Sequence, residues 1–365
     1  MSAQLEQAKA EILERVAATI HERVRADQAD RIAAFARQFY QRVDPEDLVD
    51  REIADLYGAV LAQWGFAAQR MPGTAKVRVY SPRFEEHGWR SVHTIVEIVT
   101  DDMPFLLDSV TMELNRHQLT IHLPIHPMLV VRRDAAGELI EVLPEEAAKS
   151  TEPPADSLRE SCIHIEVDRQ TEPQVLEQLR AGIERVLADV RVAVEDWAPM
   201  RERVAEILAA LAERPPADLA ELAETRALLE WIDDDNFTFL GYRVYDLDVV
   251  NGEDCLRPVN GSGLGILRGN GARRQPQAEA QDRSHSFAKL PPQARRQARE
   301  PHLLVLTKAN SRATVHRPSY LDYVGIKRLS PAGQVVGEWR FVGLLTHMAY
   351  TDSITRIPIL RRNLT

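Results

Sequence analysis

The sequence predicts an α+β protein in which an N-terminal helical segment precedes ferredoxin-like (βαββαβ) domains joined by helices. Three observations predict this class: apolar residues recur at helical spacing near the N-terminus, alternating and helical stretches then follow one another, and a second group of alternating stretches closes the chain. The predicted division is a helical segment at 1–73, a βαββαβ domain at 74–197, a helical connector at 198–235 and a second, β-rich domain at 236–365.

Length and composition limit the classes of function. The 365 residues suggest about two or three domains, and 44% hydrophobic with 27% charged residues is typical of a globular protein. A net charge of −10 argues against nucleic acid as a partner. No apolar run is long enough to span a membrane, so a membrane partner is not expected. Two cysteines, Cys162 and Cys255, are too few for a disulfide framework and favour a cytoplasmic location.

Residues 1–73 are predicted to be helical. Apolar side chains recur every three or four residues between Leu5 and Ile20, and Asp44-Pro45-Glu46-Asp47 is typical of a helix start. Because this segment shows no chemistry of its own, we interpret it as a helical lid or an oligomerisation arm.

Residues 94–123 predict one strand–helix–strand unit. The alternation at 95–100 predicts a buried strand, and the Asp-Asp-Met-Pro turn at 101–104 supplies side-chain acceptors and a proline suited to a helix start. Apolar residues at 107, 110 and 114 then predict a helix that buries one face.

The corner of this unit is a candidate site for a free amino acid. A helix N-terminus presents unpaired N–H groups that suit a carboxylate, and neighbouring aspartates suit an ammonium group. The candidate ligand-binding residues are Asp101, Asp102, Met103, Pro104, Phe105, Leu106 and Asp108. The alternative is that Asp102 and Asp108 only cap and solvate a helix that packs on a sheet.

Further strands and helices complete the first domain and the connector. Residues 76–80, 125–133 and 162–168 predict strands, and a helix is predicted from about residue 171 to 186. The alternation in RVAVEDW (191–197) predicts the last strand of the domain. Two helices split by Pro215-Pro216 form the connector.

Long strands dominate the second domain. They are predicted at 236–250, 303–309, 313–330 and 335–347, with a hairpin turn at Pro331-Ala332-Gly333. Residues 268–300 hold few large apolar side chains and predict a mobile loop. The amphipathic pattern that starts near residue 353 stops abruptly, so we expect the chain to be part of a longer protein.

Several stretches resemble the N-terminal region of the large bacterial NAD-specific glutamate dehydrogenases. They are WIDDDNFTFLGYRVYDL (231–247), GLGIL (263–267), TVHRPSYLDYVGIKRLSPAGQVVGEWRFVGLLT (314–346) and IPILRR (357–362). DDMPFLLDSV and HLPIHPMLVVRRD are similar to the same region, whereas residues 1–70 and 272–300 carry little family signal. The D-x-P-x-L-L corner at 102–107 also resembles the ACT domain, a module that commonly senses amino acids.

The resemblance implies ACT-like domains at 74–197 and 236–365 and a non-catalytic regulatory or assembly role. The catalytic region would then lie downstream in the same polypeptide, and NAD would be a cofactor of the full-length enzyme rather than of this chain. Homo-oligomerisation and an amino-acid effector bound between ACT units are also implied. A purely structural oligomerisation module without a small-molecule ligand is the alternative function.

The residues themselves predict no catalytic, NAD or metal site in this chain. The glycine cluster at 261–265 lacks the GxGxxG spacing and does not open an amphipathic helix. His117, His122 and His126 could join Glu113 around a metal, but histidines that pack or hydrogen-bond in a sheet are commoner. The HRPSY segment at 316–320 with Asp322 contains the residue types of a triad without a nucleophile elbow.

Overall fold

The computed structural model describes residues 2–213, 215–216, 218–250, 253–269, 302–347, 349 and 358. Contacts group the chain into two compact units, Met1–Leu187 and Ala188–Thr365. The division into four segments that the sequence predicts stays a prediction. The predicted mobile loop at 268–300 lies outside the described residues from residue 270 onward, as does nearly all of the chain after residue 349.

Four helices open the first unit. They are α1 (Ser2–Arg23), α2 (Ala26–Tyr40), α3 (Glu46–Val49) and α4 (Ile53–Ala67), which confirms the helical prediction. Phe35 and Phe39 of α2 share one apolar core with sheet residues such as Val99 and Cys162. These helices cover one face of the first sheet, and their interpretation as a lid or an oligomerisation arm stays a prediction.

The first sheet is antiparallel and has six strands. The strands are β1 (Lys76–Tyr80), β2 (Thr94–Asp101), β3 (Ile121–Ile125), β4 (Met128–Arg133), β5 (Leu139–Val142) and β6 (Leu158–Val167). The remaining helices are α5 (Phe84–His87), α6 (Leu106–Arg116), α7 (Glu145–Lys149) and α8 (Pro173–Glu195). The strand order is β1-β2-β6-β4-β5, with β3 also paired to β6, and the α+β class is confirmed.

The predicted last strand at 191–197 is wrong. Residues 191–195 continue α8, and a further helix begins at Trp197. The reason is that Val190 and Ala193, both buried, extend the apolar stripe of Ile183 and Val186 at helical spacing. The edge place beside β2 is taken by β1, which comes from before the βαβ unit rather than after it.

His164 lies in the core between β6 and the N-terminal helices. Its side chain is 0% exposed and meets the ring of Phe39 edge to face, with centroids 5.7 Å apart. Neither ring nitrogen has a hydrogen-bond partner among the residues that the structure describes. Burial therefore lowers the pKa of His164 to about 4.

Two glycines of α4 give a matched test of packing. An added Cβ at Gly58 would lie 2.5 Å from the Cβ of Trp89, whereas at Gly65 it would meet nothing within 4 Å. We expect Gly58→Ala to lower the free energy of unfolding by about 1–3 kcal/mol, because Trp89 would have to shift. Gly65→Ala should raise it by about 0.5–1 kcal/mol through helix propensity. Urea unfolding of the chain measures both, and equal effects would contradict this contact.

The second unit contains two helices and a second antiparallel sheet. The helices are α9 (Trp197–Glu213) and α10 (Leu219–Trp231), and a single π-type turn covers Ile232–Asn236. The strands are β7 (Phe237–Val250), β8 (Glu253–Pro258), β9 (Leu264–Gly265), β10 (Leu304–Arg312), β11 (Tyr320–Leu329) and β12 (Val335–Leu345). The strand order is β10-β11-β12-β7-β8, with β9 on β7.

The helices cover one face of this second sheet. Met200 and Val204 of α9 share a core with Phe239, Val324 and Phe341 of the sheet. The predicted β11–β12 hairpin is present, since the Gly333 amide donates to the Ser330 carbonyl and Gly333 adopts φ +75°. In the described part of the sheet no helix joins consecutive strands, so this unit fits the β-rich description.

Candidate functional site

The predicted ligand corner joins the end of β2 to the start of α6. Asp102 was expected to cap this helix, but α6 begins only at Leu106, after Phe105 in the left-handed region at φ +70°, and has no side-chain cap. The cap prediction was wrong because the turn is longer than the sequence suggested. The Ser109 amide donates to the Phe105 carbonyl at 3.0 Å, so the first turn of α6 is closed by the backbone.

Asp101 is engaged within the protein. One carboxylate oxygen accepts a hydrogen bond from the fully buried guanidinium of Arg70 at 2.8 Å, and the other accepts from the Gly73 amide at 3.0 Å. Arg70 also binds Glu160, which in turn accepts two hydrogen bonds from Arg133. Asp101 thus belongs to a buried cluster of two arginines and two carboxylates, which we call the Arg70 cluster.

Asp102 leads into a short chain of polar groups. The Ser161 hydroxyl donates to its carboxylate at 2.6 Å, so the Ser161 oxygen accepts from Nε2 of His126 at 3.0 Å. Burial lowers the pKa of His126; Asp102 and Asp108 oppose this change and Arg42 adds to it. The neutral Nε2–H imidazole is therefore favoured at neutral pH.

The other predicted residues differ in exposure. Pro104 and Asp108 are exposed, Met103 and Phe105 are half-buried, and Leu106 is buried in the core. Leu106 can therefore offer a ligand its backbone amide but not its side chain. Among the described residues, none forms a side-chain hydrogen bond or an ion pair with the Asp108 carboxylate.

Ser161 and Arg42 were not predicted to belong to this site, and His126 was considered only as a metal ligand. The antiparallel register pairs Thr100 with Ser161 and so brings the start of β6 beside the corner. Assuming that β2 and β6 are neighbours would have placed Ser161 there. Arg42 lies in the N-terminal helical region, and nothing in the sequence around it indicates that it acts on the corner between β2 and α6.

Comparison with known proteins supports the predicted resemblance. The family description "Glutamate dehydrogenase, ACT1 domain" matches residues 35–183. Over 361 residues, 98% of this chain and 22% of the relative, the chain is 39% identical to the NAD-specific glutamate dehydrogenase of Halomonas elongata. The chain resembles the N-terminal region of the NAD-specific glutamate dehydrogenases. Its Pseudomonas aeruginosa relative of the same name is 38% identical over 338 residues, 90% of this chain and 20% of that protein.

The chain spans about a fifth of these glutamate dehydrogenases. A third relative, from Mycobacterium tuberculosis, is 26% identical over 272 residues, 73% of this chain and 15% of its own length. The predicted resemblance to an ACT-bearing N-terminal region of this family is confirmed. The expectation that residues 1–70 carry little family signal was wrong, because the ACT1 match already begins within α2.

The histidines and Glu113 that were considered as metal ligands, and rejected, have separate partners among the described residues. His122 bonds Asp168 at 2.8 Å and stacks on His93, whereas His117 lies 3.5 Å from Glu113. No group of three or more potential metal ligands converges in the part of the chain that the structure describes. Within that same part, no helix has the length and apolar character to cross a bilayer.

The glycine cluster and the HRPSY segment also have structural partners. The Gly265 amide donates to Asp196 at 2.7 Å, and the Ser262 amide donates to the Val259 carbonyl. Asp322 pairs with Lys308 at 2.6 Å and accepts from the Leu345 amide. These groups are therefore occupied in holding the second sheet together.

Proposed function

We propose that the chain is a non-catalytic regulatory and assembly portion of an NAD-specific glutamate dehydrogenase, and that an amino-acid effector binds at the corner between β2 and α6. Catalysis, the oxidation of glutamate with NAD, is proposed for the downstream part of the polypeptide, in line with the names of the relatives and with the fifth of their length that is matched here. Homo-oligomerisation and a cytoplasmic location are part of the same proposal.

Charges of both signs around the corner carry this proposal. Burial lowers the pKa of His126, the Asp102 and Asp108 carboxylates oppose this shift, and the Arg42 guanidinium adds to it, so charges of both signs act on this imidazole. Asp102 uses one oxygen for Ser161, and none of the described groups bonds to its other oxygen. Two carboxylates and one guanidinium that act on the same imidazole would offer partners to both ends of a zwitterion.

A free amino acid matches this set better than a simple acid or amine. Its α-carboxylate suits Arg42, since a guanidinium favours oxyanions. Its ammonium group suits Asp102 and Asp108. A dicarboxylate without an amine would leave both aspartates unpaired and bring a further negative charge beside them.

The effector proposal predicts a thermal shift with an amino acid. At a hundredfold excess over its dissociation constant, the ligand should stabilise the chain by about 2.7 kcal/mol, a shift of a few degrees in the melting temperature. Asp108→Asn and Asp102→Asn should each reduce the shift, because each removes one charge that meets the ammonium group. Asp50→Asn, an exposed aspartate of the same unit, is the matched control and should leave the shift unchanged.

The screen covers the amino acids, 2-oxoglutarate and NAD. No shift with any amino acid would refute effector binding by this chain, and a shift that survives both aspartate variants would place the ligand elsewhere. Either result leaves the assembly role standing, because that role depends on different residues.

Exposed apolar side chains favour assembly as the second function. Phe84 and Val92, in the segment between β1 and β2, are 66% and 77% exposed. Contiguous apolar patches on a surface mark sites that bind another protein, and we propose that Phe84 and Val92 belong to such a patch. Light scattering of Phe84→Asp and Val92→Asp against the parent chain tests this, since loss of an oligomer in both supports it and an unchanged monomer in all three refutes it.

A further inference from the structure

The hydrogen bonds at the corner between β2 and α6 have a fixed direction. An ionised carboxylate only accepts, so the Ser161 hydroxyl donates its one proton to Asp102 at 2.6 Å. The Ser161 oxygen then accepts, and Nε2 of His126, 3.0 Å away, must be the protonated ring nitrogen. Ser161 is 0% exposed, so water does not replace either partner. The position of the Asp102 carboxylate therefore depends on His126 through Ser161.

The charges around His126 come from three different elements. Asp102 follows β2, Asp108 lies on α6, and Arg42 lies between α2 and α3. Burial has the largest effect and lowers the pKa of His126, so the imidazole is neutral at pH 7 and gains a proton in mildly acidic solution. A proton on His126 therefore adds a positive charge that acts on both aspartates.

We propose that His126 is a positioning residue of the effector corner and that its protonation weakens binding of the amino acid. This inference rests on the proposed effector site, where Asp102 and Asp108 meet the ammonium group of the ligand. At pH 7 the neutral ring holds Ser161, and Ser161 holds one Asp102 oxygen while the other oxygen remains for the ammonium group. In acid the same hydrogen bonds persist, but the imidazolium and the ammonium group then compete for the same carboxylates and repel each other.

A reciprocal effect on the proton distinguishes this role from a structural one. If a proton on His126 weakens the binding of the amino acid, the bound amino acid disfavours that proton by the same factor. Binding in mildly acidic solution therefore releases protons to the solvent. A histidine that only supports the shape of the corner would change the affinity when replaced, but it would not couple the affinity to pH.

Isothermal titration calorimetry of the whole chain with glycine at pH 7 and pH 5 tests this inference. Glycine has both charged groups of the proposed effector and no side chain, and neither group titrates between these two pH values. We expect its dissociation constant to rise by about tenfold from pH 7 to pH 5, because a unit charge two hydrogen bonds away acts on Asp102 in a partly solvated site. Titrations at pH 5.5 in buffers of different ionisation enthalpy should show proton release.

Three variants separate the proton from the hydrogen bonds. His126→Gln retains an N–H donor for Ser161 without a titratable ring, so its dissociation constant for glycine should be equal at both pH values, and proton release should be absent. Ser161→Ala breaks the link to Asp102 and should weaken glycine binding at pH 7. His122→Gln is the matched control, because His122 lies on β3 and is bonded to Asp168, and it should keep the tenfold change of the parent chain.

The failure of this inference is distinguishable from the failure of the effector proposal. Equal affinity of the parent chain for glycine at pH 7 and pH 5 would overturn this inference and leave the effector proposal standing. The same pH dependence in the parent chain and in His126→Gln would also overturn it. Absence of glycine binding at both pH values would overturn it as well, and the screen of all amino acids then decides the effector proposal.

Discussion

Replacing Glu160 with glutamine is expected to lower the free energy of unfolding of the first unit by about 3–5 kcal/mol. In the Arg70 cluster, Glu160 receives hydrogen bonds from Arg70 at 2.7 Å and from Arg133 at 2.7 and 2.8 Å. The side chains of Arg70 and Arg133 are 0% and 1% exposed. Removing the shared carboxylate leaves two positive charges in the protein interior with Asp101 as the remaining acid of the cluster.

Urea unfolding of the parent and variant chains measures this loss. Glu141→Gln is the control, because Glu141 pairs with Arg132 at 2.6 Å but is 47% exposed. We expect Glu141→Gln to cost at most about 1 kcal/mol, since a solvated ion pair contributes little. Equal costs at the two positions would show that the Arg70 cluster does not hold the sheet to the N-terminal helices.

Acidification from pH 7 to pH 4 is expected to destabilise the first unit through His164 by about 3 kcal/mol. The pKa of this imidazole falls from 6.5 to about 4 because it is buried. Between these values the unfolded chain binds a proton that the folded chain does not, so stability decreases as the pH decreases. The difference of about 2.5 pKa units at about 1.4 kcal/mol each gives the magnitude.

His164→Leu should remove this part of the pH dependence, because leucine fills the apolar site without a titratable group. The comparison of parent and variant isolates His164 from His126, whose lowered pKa acts in the same direction, and from Glu97, whose raised pKa acts in the opposite one. Urea unfolding at pH 4, 5, 6 and 7 provides the measurement. Parallel curves for the two chains would contradict the buried, neutral imidazole.

His21→Leu is a control of opposite sign. In the parent chain, the hydrogen bond between His21 and Asp30 raises the pKa of the His21 imidazole. Protonated His21 therefore stabilises the folded state below pH 6.5, and this stabilisation is lost as the pH rises. Removing His21 should therefore make the loss of stability in acid slightly larger, whereas removing His164 makes it smaller.

The sequence predicted most elements of the fold because periodicity is a local property. The β2–α6 unit, the N-terminal helices and the β11–β12 hairpin each follow from apolar spacing or turn residues within a short stretch. Residues 191–197 were assigned wrongly because Val192 and Val194 alternate as in a strand, whereas the buried Val190 and Ala193 keep helical spacing. Only the packing of the stripe begun by Ile183 decides between them.

The candidate site was predictable in position but not in composition. The aspartates and the helix start are contiguous in sequence, so the corner could be located. Ser161, His126 and Arg42 come from separate elements of the fold. Ser161 reaches the corner because β6 pairs with β2.

The packing of the N-terminal helices on β6 affects how the chain can fold while it is being synthesised. Arg51 of the helical region binds Glu166, which lies 115 residues later in the sequence. The Phe39 ring packs on His164 at a similar sequence separation. At about 5–20 residues per second, the helices leave the ribosome roughly 6–23 s before their sheet partner exists. Until then, the apolar residues of these helices that pack on the sheet lack that partner. The newly made chain therefore passes through a period in which chaperone capture competes with aggregation, and it ends when β6 emerges.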